Sequence, residues 1–139
     1  MQAFCTKCWS LISTQDVVCP LCGADPGNDT RSFEQKLVAA LEHPFPSTRA
    51  RICWLLGQHG GSWSIPHLVR MLDDVDMFVR MAAIRALGEV GDESVVPALQ
   101  RASKDDSLLL RIVAAGALEQ VSARVFSHGK TRSKQQHGS

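Results

Sequence analysis

The chain has 139 residues, 45% of them hydrophobic and 21% charged, with a formal net charge of +1. That length allows one ordinary domain, or a very small module joined to a modest one. Apolar runs are broken by charge or Pro within about ten residues, too short to cross a bilayer, and the start Met1-Gln2-Ala3-Phe4-Cys5 lacks the basic and apolar segments of an export signal. These features argue against a membrane or secreted protein, and the near-neutral charge argues against nucleic-acid binding by the chain as a whole.

Four of the five cysteines fall within the first 22 residues. Cys5, Cys8, Cys19 and Cys22 read C-x2-C-x10-C-x2-C. Two residues between cysteines let both thiolates of one turn face a common centre, and two such turns complete a tetrahedral S4 metal site. A segment this short buries almost no core, so something other than packing must hold it. Disulfides are the alternative, disfavoured in a chain without an export signal. In the second turn, Gly23 follows Cys22 directly and supplies the φ > 0 that turns amides towards sulfur. The first turn has Trp9 at the matching place, which predicts a less regular knuckle.

Residues 4–25 resemble the short zinc ribbons of many bacterial proteins and, more distantly, the rubredoxin-type iron site. The aromatic residues that follow the first rubredoxin knuckle are missing, so the resemblance implies zinc before iron. With Cys at all four positions no ligand site is left open, which implies a structural ion. Residues 1–25 are thus expected to form the ribbon and residues 26–31, rich in breakers and polar residues, a linker.

Beyond the linker the chain repeats itself. Arg49, Arg80 and Arg111 are 31 residues apart, as are Leu37, Leu68 and Leu99, and Leu56, Leu87 and Leu118. Pro66 with Pro97, Gly57 with Gly88 and Gly60 with Gly91 keep the same interval. Such a period indicates stacked repeats. Apolar spacing within each unit is helical: Leu37, Ala40, Leu41, then Ile52, Leu55, Leu56; Leu68, Met71, Leu72, then Val79, Ala83, Ile84, Leu87. Each unit reads as two short antiparallel helices. Ser32 and Gln35 form a capping box, Pro66 and Pro97 mark first turns, and Ser47, Asp76 and Ser107 are N-cap candidates for the second helices.

This pattern resembles HEAT repeats of the short, phycobilisome-lyase-like kind. The middle unit, Leu72-Asp73-Asp74 through Arg80 to Gly88, is the clearest. The resemblance implies an all-α solenoid of three helix pairs over residues 32–126, with an Arg–Asp ladder tying each turn to its neighbour. The stack needs its ends covered, so the ribbon is expected against the first helix pair as an N-terminal cap. The last helix is expected to run past Val121, with Val125 and Phe126 as its final apolar contacts. Cys53, in the column of Ile84 and Ala115, reads as a core thiol.

Catalysis finds no support. The similar deoxyhypusine hydroxylases place a His-Glu pair just after the repeat Arg to hold two irons, and here those positions are Ala50-Arg51, Met81-Ala82 and Ile112-Val113. The five His residues form no arrangement with a nucleophile. What remains is surface. In such stacks the second helices line a concave face, and the residues assigned to bind a protein partner there are Arg51, Trp54, Gln58, Met81, Arg85 and Glu89. For Trp54 the competing assignment is to cover the ribbon or linker.

Charge is uneven: the last 18 residues carry Arg124, Lys130, Arg132 and Lys134 without an acid. Residues 127–139 are expected to form a disordered basic tail. The expected function is a non-catalytic, cytoplasmic protein-interaction module with no small-molecule substrate. The alternative is a nucleic-acid-associated protein using the ribbon and tail, and its affinity would be weak and salt-sensitive.

Overall fold

The computed structural model describes residues 1–25 and 30–136, except for the side chains of residues 128–136. Strands β1 (Gln2–Phe4) and β2 (Leu11–Ser13) pair antiparallel, with Ala3 opposite Ile12. Three helix pairs follow: α1 (Phe33–Ala40) with α2 (Pro46–His59), α3 (Ile65–Met71) with α4 (Met77–Val90), and α5 (Val96–Ala102) with α6 (Leu108–Gln136). Most of the linker, residues 26–29, lies outside the described residues.

The helix starts follow local chemistry. Ser32 caps α1 by accepting from Gln35 N–H, while the Gln35 side chain accepts from Ser32 N–H. Asp76 accepts from the amides of Phe78 and Val79 at the start of α4, and Ser107 does so from Leu110 in α6. The first unit differs. Pro46 takes the first position of α2, so Phe45 stands at the cap and Ser47 falls inside the helix. A proline there is preorganised for helix and removes an amide that had no partner.

Helix ends explain the pair division. Gly60 and Gly91 close α2 and α4 in extended geometry (φ −76° and −72°), not in the left-handed region. A Cβ at either would come within 2.3 Å of the carbonyl oxygen of Leu56 or Leu87. Only glycine makes that turn. The third unit has Ser122 at the corresponding position, and α6 runs on through it to Gln136. The tail expected to be disordered from residue 127 is therefore helical to Gln136, because the stop residue of the first two units is absent. A glycine within the helical extension, Gly129, costs a helix only about 1 kcal/mol. Residues 137–139 and the side chains of Lys130, Arg132 and Lys134 lie outside the described residues. Val125 and Phe126 remain 37% and 66% exposed. Arg124 anchors the extension by donating to the carbonyls of Gly88 and Gly91, at the C-terminal end of α4, where a cation also meets the negative end of the helix dipole.

The second helices form the spine. A Cβ at Gly57 would lie 2.9 Å from the Ala86 Cα, and one at Gly88 would lie 3.2 Å from the Ala117 Cβ. These glycines bring α2, α4 and α6 into close contact. The buried side chains of Leu37, Ile52, Leu56, Leu68, Ile84, Leu87, Leu99 and Leu110 form one continuous core across the three units. Cys53 lies in it with no exposed surface, and burial pushes its thiol up to about 12.

The Arg ladder spans units. Arg49 forks onto Asp74 of the following unit (Nε–Oδ2 2.9 Å, Nη2–Oδ1 3.0 Å), with both side chains about nine-tenths buried. Arg80 makes a looser ion pair with Asp105 at 3.6 Å, and its buried Nε has no hydrogen-bond partner among the described residues. In every unit Nη1 turns back to its own loop: Arg49 to the carbonyls of His43 and Pro44, Arg80 to those of Asp74 and Val75, Arg111 to those of Asp105 and Asp106. The Asp and Arg six residues apart in one unit thus meet through the backbone, and the carboxylate serves the unit before.

Burial works to raise the Asp74 carboxyl, but the Arg49 hydrogen bonds, the Asp76 amide and the charges of Arg49 and Arg80 outweigh it and hold it below its usual value. A lowered folded value means stability that is present above the unfolded carboxyl's pKa, about 3.9, and is lost as pH falls through the folded one. Asp74→Asn should cost about 2–3 kcal/mol at neutral pH, somewhat under the toll of breaking a fully buried pair. That gap should narrow as pH falls below the unfolded carboxyl's value and through the folded one. Urea unfolding midpoints from pH 7 to 2 measure it, and a gap that stays constant would show that the carboxylate charge contributes nothing.

Candidate metal centre and concave groove

The two C-x2-C turns are built alike. Trp9 N–H donates to Cys5 O (2.8 Å) and Gly23 N–H to Cys19 O (2.9 Å), while Cys5 N–H donates to Ser10 O (2.9 Å) and Cys19 N–H to Ala24 O (2.8 Å). Trp9 and Gly23 both sit in the left-handed region, at φ 59° and 76°. That conformation aims the next amide at sulfur: Ser10 N–H bonds Cys8, and Ala24 N–H bonds Cys22. The less regular first knuckle expected from Trp9 is not observed. Trp9 takes the conformation glycine takes in the second turn, at a cost of about 1–2 kcal/mol.

The four sulfurs converge within 4.8 Å of one another. Cys5 and Cys22 lie 3.5 Å apart, and Cys8 and Cys19 3.7 Å. Disulfide sulfurs stand about 2.05 Å apart, whereas thiolates around a tetrahedral metal with bonds of about 2.3 Å stand about 3.8 Å apart. The spacing fits a shared cation, and the four Cys predicted as ligands all meet there. Crowding splits the thiols: burial raises Cys8, but the Ser10 hydroxyl and amide overcome it and draw it down to about 6. Cys22, helped by the Ala24 amide but opposed by burial and the other three sulfurs, is pushed up to about 12. A cation would relieve that conflict by holding all four as thiolates.

The ring of Trp9 explains why the strained conformation persists. It is 3% exposed and belongs to the core of the repeats, not to the small cluster of Cys5, Ile12 and Cys19. Burying an indole of 150–250 Å² stabilises by about 4–6 kcal/mol at most. This offsets the backbone strain together with about 1–3 kcal/mol for the indole N–H, which is buried without an acceptor among the described residues. Arg51 fastens the same junction. Its Nη1 donates to the Trp9 carbonyl (3.2 Å), and its guanidinium lies 5.7 Å from the centre of the Phe4 ring. The ribbon therefore packs against α2 of the first helix pair. Arg51, assigned to the partner surface, joins the ribbon to α2, while Trp54 lines a cavity between α2 and α4.

The other five assigned residues come together. Trp54 and Gln58 of α2 and Met81, Arg85 and Glu89 of α4 line one cavity of about 380 Å³, floored by Gly57 and Ala86. Phe78 completes the wall, and the sequence reading missed it: its column holds Ser47 and Leu109, so no periodicity marks it. Trp54 is 57% exposed and Phe78 64%. Both large rings stand open at the contact of the two helices. Arg85 and Glu89 stand one turn apart, and neither forms an ion pair among the described residues.

Removing the Trp9 ring should undo the junction more than the knuckle. Trp9→Gly relieves the left-handed strain yet loses the buried indole, so the repeats should be destabilised by about 3–5 kcal/mol. Arg51→Ala should cost about 1 kcal/mol, the worth of one hydrogen bond with its ring contact. Thermal unfolding of the metal-loaded protein reads both, and an unchanged midpoint in Trp9→Gly would mean that the ribbon does not brace the stack.

Among the described residues no helix is long and apolar enough to cross a membrane. A family description of HEAT repeats matches residues 34–119. The chain is similar to the uncharacterized phycocyanin operon protein Z of Pseudanabaena tenuis, 35% identical over 81 residues. That stretch is 58% of this chain and 40% of the relative, so the similarity spans less than half of the relative's length. Three stacked helix pairs, a spine of closely packed second helices and a match over most of the chain give one conclusion: this protein belongs to the HEAT-repeat family.

Proposed function

We propose that the protein is a non-catalytic protein-interaction module, which captures a partner in the groove between α2 and α4 and carries one structural zinc ion in its N-terminal ribbon. The observation that carries this reading is the pair of exposed rings, Trp54 and Phe78, facing a cavity of about 380 Å³ with Arg85 and Glu89 at its edge. Aromatic anchors in a pocket surrounded by polar groups are the anatomy of a binding hot spot. The surface is rigid because both helices are fixed by the core behind them, which lowers the entropy cost of docking.

Zinc suits the ribbon because it is content with four thiolates in a tetrahedron and supplies no redox chemistry there. All four positions are taken by Cys5, Cys8, Cys19 and Cys22, so the ion would have no place for water or substrate. Its work is to hold a segment whose own core is Cys5, Ile12 and Cys19 with few partly buried neighbours.

Two measurements test the proposal. Metal analysis of the purified protein should find one zinc per chain, lost in Cys8→Ser, while a red protein with visible bands would replace zinc by iron. Trp54→Ala and Arg85→Ala should each weaken capture of native-cell partners at least tenfold, with helical content unchanged. A capture profile identical to that of the parent protein would remove the groove as the binding site.

A further inference from the structure

The ladder leaves one edge of the stack unmatched. Arg49 turns its outer edge to Asp74 of the next unit and Arg80 turns Nε to Asp105. Arg111 keeps the inner half of the arrangement, with Nη1 on the carbonyls of Asp105 (2.9 Å) and Asp106 (3.3 Å). The residue one period after Asp105 is Gln136, and no carboxylate among the described residues reaches the outer edge of Arg111. Around it α6 is open. Leu108 and Ile112 are 63% and 60% exposed, and Ala115 is exposed where its counterparts Cys53 and Ile84 are buried.

Another unit of the same kind is a poor fit for this face. Stacking of second helices relies on Gly57 and Gly88, where a Cβ would meet the next helix. In that column the third unit has Glu119. Its carboxylate meets no cation among the described residues.

The two mismatches answer each other. Arg111 and Glu119 lie four residues before and after Ala115, about 6 Å along the axis and about 40° around it to either side. A two-fold axis passing the level of Ala115 would set a second α6 antiparallel to the first. Each Arg111 would then lie level with Glu119 of the other copy, and Ile112 level with Leu118. The methyl of Ala115 at the centre permits an approach of about 8 Å between axes. One acid and one base at equal distances from a small residue make the face complementary to itself, which an isologous contact requires. We infer that this face binds a second copy of the chain, giving a symmetric dimer through antiparallel α6 helices with reciprocal Arg111–Glu119 pairs. The concave groove between α2 and α4 stays open in that dimer, so two grooves would be presented together.

Sedimentation of the full-length, metal-loaded protein over a range of concentrations is the test. The expected result is a monomer–dimer equilibrium, weakened at least tenfold by Glu119→Arg and by Arg111→Glu, and restored when both are combined. Circular dichroism checks that each variant keeps its helices. Because Arg111 also caps its own loop, Arg111→Glu is the variant at risk of misfolding. Glu119→Arg, which breaks no ion pair or hydrogen bond among the described residues, and Ala115→Trp, which blocks the axis, then decide. A protein that stays monomeric, a dimer indifferent to Glu119→Arg, or a folded charge-swapped variant that stays monomeric would each overturn the inference.

Discussion

A guanidinium has two edges, and the stack depends on their being used differently. In every unit the Nη1 side of the repeat Arg closes the loop between its own two helices. In the first two units the opposite side reaches the Asp of the unit that follows. One residue thus fixes the angle within a pair and the register between pairs. Each contact adds modestly to stability, because desolvating the charges offsets much of their attraction. Register is the larger gain. A helix pair free to slide along its neighbour would bury about the same apolar area, but Gly57 would no longer face Ala86, nor Gly88 Ala117. The groove follows from that register, since Trp54 belongs to one unit and Phe78, Met81 and Arg85 to the next.

The N-terminal end of the stack has a different solution. A two-stranded hairpin precedes the first helix pair, and it cannot bury enough surface to hold its own shape. The cysteine turns supply the shape, and Trp9 connects it to the helices. A single backbone conformation serves both needs: left-handed geometry at Trp9 turns Ser10 N–H towards the Cys8 sulfur and lodges the indole in the repeat core. Cysteine cluster and solenoid are therefore mechanically joined. Arg51 belongs to this junction, which removes one cation from the groove and leaves Arg85 as the positive group among the residues lining it.

Features that repeat or that keep fixed local spacing were legible in the sequence. The C-x2-C pairs, the 31-residue columns and the capping box at Ser32 each depend on neighbours close along the chain, and the structure has all of them. Five of the six assigned groove residues also share a cavity, because their positions follow from helical geometry once the repeat is known. Misreadings arose where a distant contact outweighs local preference. Trp9 is a poor residue for positive φ, and only the cavity it fills in another domain makes the choice stable. Arg51 occupies an outward column, yet a carbonyl 42 positions away claims it. The long α6 did have a signal, Ser122 in the column of Gly60 and Gly91, but the polar composition of the tail obscured it.

Departures from the columns are where a repeat protein can acquire a purpose. Buried columns tolerate little: Ile52, Ala83 and Ala114 are all buried, and all are apolar. The column of Trp54, Arg85 and Gly116 faces outward in every unit, so packing places no demand on it. Gly116 even has open space where a Cβ would be, and the position would suit almost any residue. A large aromatic there is costly for solubility and gains nothing from the core, as is the neighbouring Phe78. Two such rings on one side of a single helix contact, with none at Gly116, concentrate apolar surface between the first and second units. Folding alone does not require that asymmetry. A binding surface does, since an anchor pocket needs aromatic walls in one place and bare helix beside it for the rest of the partner to lie against.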